Sequence, residues 1–186
     1  MKTISRIFFL ATLLPVTASG QGTILWDEGV SGPLSQFSSS PTPLPPLQLG
    51  TNTVIGMTEV EPTGPSWSVY TDFFTFAVPN NSVVGTVYLQ INKPNVWTWI
   101  GEPTFFDQLA FSFSPSTGNL SSQWGLSSIV AGTYGMYFEN HDFEAFTSIA
   151  NYRLDFFVQS IPEPSSLWLL VGGLGLIGIH RWKRRV

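Results

Sequence analysis

The sequence predicts an all-β fold: an antiparallel β-sandwich, with jelly-roll winding as the expected topology. Three observations predict it. Short segments rich in Val, Ile, Thr and aromatic residues recur along residues 21–160, several with period-two alternation. Gly, Pro, Asn and Ser turn residues separate them. No segment between the two ends of the chain carries an amphipathic helical period.

Taken in order, Thr23–Trp26 is a short first strand. Gly32–Pro46 is rich in Ser and Pro and reads as an extended loop, where Pro43, Pro45 and Pro46 exclude a regular helix. Asn52–Thr58 is Thr- and Val-rich, and Asp72–Val78 alternates aromatics with small or polar residues. Pro79-Asn80-Asn81-Ser82 is a turn signal before Val83–Asn92, which alternates well. Phe105–Ser114, Thr133–Glu139 and Tyr152–Val158 complete the set. Residues 21–160 have the length of one domain.

The N-terminus has the pattern of a secretory signal peptide over residues 1–20. Lys2 and Arg6 precede the apolar run Ile7–Leu14, and small residues follow. Ala18 and Gly20 fit the cleavage site, making Gln21 the first mature residue; cleavage after Ala18 competes. The chain has no cysteine, which excludes disulfides, a cysteine nucleophile and thiolate metal sites.

The C-terminal segment, residues 161–186, joins three features in order. Pro162-Glu163-Pro164 comes first, then the uncharged run Leu167–Ile179, then the basic cluster Arg181, Lys183, Arg184 and Arg185. A transmembrane helix over 165–180 is expected, with Trp168 and Trp182 at the interfaces and the basic stop on the cytoplasmic side. The four glycines of this run do not form GxxxG.

This tail closely resembles the PEP-CTERM sorting signal of Gram-negative bacteria. The resemblance covers about the last 25 residues. It implies processing at Pro162, Glu163 and Pro164 by an exosortase, a membrane protease, after transient anchoring in the inner membrane. His180 and Trp182 dilute the usual arginine run.

Parts of the mature region also resemble bacterial pre-peptidase C-terminal domains. The matching stretches are Asn52–Gly56, Asp72–Pro79, Ala131–Tyr134 and Tyr152–Val158. That resemblance implies a jelly-roll-like, non-catalytic module.

Six of the eight basic residues lie in the two targeting segments. The mature stretch keeps Lys93 and Arg153 against eleven acids, a net charge of minus nine hidden by the whole-chain value of −4. Such a surface is ill suited to nucleic acid or phosphate.

Several residues could carry chemistry. His141, flanked by Glu139, Asp142 and Glu144, offers a metal or acid–base site, or else a solvated loop. A Ser-His-Asp hydrolase would need His141 as base, but no GxSxG is present. Asp27, Glu59 and Asp72 are calcium candidates among early strands, with no EF-hand loop around them. Trp97 and Trp99 alternate onto one face of an extended segment and are candidates for stacking on a glycan.

The resulting expectation is an exported, non-enzymatic β-domain with no required cofactor. Sorted to the cell surface or extracellular matrix, it would be a structural or adhesive component associated with exopolysaccharide. A carbohydrate- or calcium-binding module is the alternative, and a small hydrolase the third reading.

Overall fold

A computed structural model describes residues 22–161, apart from 64–65, 94, 105–107, 114 and 144–146. The expected signal peptide, the Gly20/Gln21 cleavage site, the sorting motif, the membrane helix and the basic stop lie outside the described residues. Among the described residues no helix is long and apolar enough to cross a membrane.

The described residues form ten strands: β1 (Thr23–Asp27), β2 (Thr42–Pro43), β3 (Gly50–Thr63), β4 (Ser66–Val78), β5 (Ser82–Ile91), β6 (Val96–Gly101), β7 (Gln108–Phe113), β8 (Gly118–Asn119), β9 (Gly132–Asn140) and β10 (Ser148–Ser160). Two single-turn helices, α1 (Glu28–Ser31) and α2 (Leu120–Gln123), interrupt them. The main strand order is β7-β6-β9-β4-β3-β10-β5-β8. β1 adds to β3, and β2 to β4, both in parallel; the other pairings are antiparallel.

The sheet curls because β3 and β4 share only part of their length. Their hairpin pairs Glu59–Thr63 with Ser66–Tyr70. Beyond Tyr70, β4 runs beside β9, while β3 continues beside β10. The two halves fold over one core. Alternation sets which side chains enter it: Phe74, Phe76 and Val78 from β4, Met136 and Phe138 from β9, and Leu154, Phe156 and Val158 from β10 are all buried. Rings from the two halves meet directly. Phe76 lies 4.9 Å from Phe156, and Phe138 stacks on Tyr152 at 4.2 Å. Burying aromatic rings in this number stabilises a domain that has no disulfides.

The all-β, antiparallel class expected from the sequence is the one adopted, as a curled sheet. The strand path alone does not establish the jelly-roll winding. Most predicted strands recur with longer ends, whereas Val83–Asn92 is shifted to Ser82–Ile91 and Phe105–Ser114 is described as a strand over Gln108–Phe113; the turn at Pro79–Ser82 forms with Asn81 at φ 60°. The Ser/Pro-rich loop yields the two-residue β2, where backbone bonds from Leu44 and Leu47 to Thr75 and Ala77 tie the loop to β4. β6 is a full strand between β7 and β9, although its six residues read from sequence only as an extended segment.

Candidate ligand cleft and the sorting motif

The divergence of β3 from β4 leaves a gap along one edge of β3. β1 occupies that edge through Ile55, and β4 takes it up again at Glu59. The Met57 amide falls between the two pairings. Glu28, at the start of α1, fills the position: one carboxylate oxygen accepts from Met57 N at 2.6 Å and the other from Leu34 N at 2.5 Å. A single side chain thereby replaces a missing ladder partner and anchors the loop after α1. Asp27 caps α1 by accepting from Gly29 N at 2.9 Å.

Beside this plug lies a cleft of about 620 Å³. Pro33, Leu34, Ile55 and Met57 form apolar walls, while Glu28, Glu59, Tyr70, Asp72, Gln36 and Asn151 bring the polar groups. Asp72 is 4% exposed, on the inward face of β4. The Tyr152 hydroxyl donates to Asp72 Oδ2 at 2.8 Å. Tyr152 reaches it by lying across Gly56, where any β-carbon would collide with the phenol. A glycine in a Val/Ile-rich strand is the sequence signal of such a close approach, and it marked this place without naming the partner.

The electrostatics of the cleft are one-sided. Burial pushes the Asp72 carboxyl up to about 8; the nearby Glu28 charge adds to the rise and the Tyr152 hydrogen bond opposes it. Glu28 is raised by burial, against the pull of its two backbone N–H donors. Glu59 is raised by desolvation and then by Glu61. Tyr152 is raised well above the usual phenol range by burial and by Asp72 and Glu28. Among the described residues no cationic side chain lines the cleft. Lys93, His141 and Arg153 instead lie within ion-pair distance of Asp142, Glu139 and Asp155.

Of the calcium candidates, Glu59 and Asp72 share this cleft, whereas Asp27 is engaged in capping. Glu28, its neighbour, takes the place facing the cavity. Among the described residues no group of three or more His, Asp or Glu side chains is arranged to hold a metal ion.

Trp97 and Trp99 do lie on one face of β6, the outer face. Both rings pack against other side chains. Trp99 is 5% exposed and stacks on Tyr137 at 5.8 Å, with Phe73 next in the row. Trp97 is half-buried, stacks on His141 at 3.5 Å and meets the edges of Phe111 and Phe113. His141 Nε2 is 2.7 Å from Glu139 Oε1, close enough for an ion pair but not aligned as a hydrogen bond. Asp142, beside it, is buried. It accepts from Ser148 at 2.8 Å and from Lys93 at 3.1 Å, and these bonds hold its carboxyl below the usual range. The Glu139–Asp142 segment thus joins β9 to β10 as a packed corner.

A sequence-family model for the PEP-CTERM protein-sorting motif matches residues 160–185. No curated protein and no solved structure matches the chain. The motif begins on the last residue of β10, where the folded sheet ends. It implies an exosortase as processing partner, with secretion and transient membrane anchoring on the way to the surface.

Proposed function

We propose that this protein is a non-enzymatic β-domain delivered to the cell surface or extracellular matrix, where it serves as a structural or adhesive component associated with exopolysaccharide. The observation that carries the proposal is the sorting motif at residues 160–185, set directly behind the last strand. Cleavage near Pro162-Glu163-Pro164 would release a finished fold, because β10 contributes its core residues before the motif begins. The expected route starts with signal-peptide removal near Gly20/Gln21 and continues through an anchor held by Arg181, Lys183, Arg184 and Arg185.

Two further features favour a passive domain. His141 is packed on Trp97 beside Glu139, a setting that suits a structural corner better than a general base. The curled sheet, with its core between two halves, is compatible with the jelly-roll winding of pre-peptidase C-terminal domains. We read the fold as a member of that broad architecture.

Intact-mass measurement of protein extracted from the cell surface tests the route. The expected species starts near Gln21 and ends between Pro162 and Ser165. Mature surface material that still carries Leu167–Val186 would exclude sorting by this route.

A further inference from the structure

We propose that the cleft between β3 and β4 binds an aliphatic ammonium ion, its alkyl body against Pro33, Leu34, Ile55 and Met57 and its charged head toward Asp72 and Glu59. The inference goes beyond surface delivery and does not depend on it.

The cavity comes first. A concave space of about 620 Å³, whose lining surface is mainly apolar and carries polar groups from Glu28, Gln36, Glu59, Tyr70, Asp72 and Asn151, has the character of a small-molecule site. Its charge selects the class of ligand. Among the described residues three carboxyl groups line it and no cationic side chain does. Asp72 in particular is nine-tenths buried at the cavity wall, with a phenol donor on one oxygen. Burial first, and neighbouring carboxylates second, favour the protonated form of these acids, and no cationic side chain among the described lining residues offsets this. A bound cation would supply it.

The same surroundings discriminate between cations. Both Glu28 oxygens are committed to backbone amides. Hard ions such as calcium need about six to eight oxygen ligands, and the described residues do not gather three acids around one point. An organic ammonium ion needs fewer oxygens and gains from the apolar walls.

Binding should strengthen as Asp72 ionises. The titratable groups around Asp72 are Glu28 from α1, Glu59 from β3, Tyr152 from β10 and Tyr70 from its own strand. All are acids or phenols, so none gains positive charge as pH falls.

The test is calorimetric titration of the full chain, in a neutral detergent, with n-pentylamine. Its amine stays charged up to about pH 10. Affinity should rise roughly tenfold, on the order of 1.4 kcal/mol, between about pH 6 and about pH 9 as Asp72 ionises. Asp72→Asn should remove that rise while the far-UV spectrum stays unchanged, and Glu59→Gln should weaken binding at both pH values. If Asp72→Asn fails to fold, the wild-type pH profile and Glu59→Gln decide. Absence of binding at about pH 9, a pH-independent affinity, equal binding of a neutral alcohol of the same length, or displacement by equimolar calcium would each overturn the proposal.

Discussion

Asp72 shows how one residue couples the fold to pH. Strand alternation puts it on the inward face of β4, in line with Phe74 and Phe76, where an apolar residue would be ordinary. The folded chain holds its proton up to about pH 8. An unfolded aspartate releases its proton near about pH 3.9. Between those values the folded state binds more protons than the unfolded state, so stability falls as pH rises through this window. Asp72→Asn keeps an acceptor for Tyr152 and has no charge to bury. The variant should therefore gain on wild type as pH rises, with the melting-temperature difference larger at about pH 8 than at about pH 5. The gain is expected to be on the order of a few kcal/mol. Parallel melting curves for the two proteins across this range would contradict the assignment.

At the scale of elements, β6 decides how its tryptophans are used. It lies between β7 and β9, so each ring on its outer face has cross-strand neighbours: Phe111 and Tyr137 opposite Trp99, Phe113 and Glu139 opposite Trp97. Cross-strand aromatic pairs of this kind stabilise a sheet. Trp99→Ala should cost about 3–5 kcal/mol, the range for truncating a buried aromatic, seen as a lower urea midpoint. Trp97→Ala should cost less, because its ring is only half-buried. A Trp97/Trp99 double variant that kept its midpoint yet lost retention on the organism's exopolysaccharide would support glycan stacking as their role.

At the scale of the whole molecule, the chain divides the work between its parts. Positive charge concentrates at the two ends, where the expected targeting steps need it, and the folded part is left strongly acidic. Among the described residues the buried core runs through Val158 of β10, before the motif begins. Changing both Pro162 and Pro164 to Ala should leave the fold intact and strand the protein in the inner membrane, measured as a full-length band in the membrane fraction. Normal release of the double variant would show that processing does not depend on those prolines.

The sequence alone determined the strand class, most strand positions and the sorting tail, because these rest on local signals. Period-two alternation, turn residues and the ordered run of motif, apolar segment and basic cluster each lie within a few neighbouring residues. Gly56 was visible as a glycine in a strand, and Glu28 as an acid beside Asp27. What they do depends on partners far away in the chain: Tyr152 across Gly56, and the Met57 amide against Glu28. Only the tertiary structure decided that β3 and β4 part at Tyr70, that Trp97 and Trp99 pack against other rings, and that Asp72 enters the core beside a cleft. Each of these follows from long-range register between strands, and pairing at such distances leaves no local trace in the residues that take part.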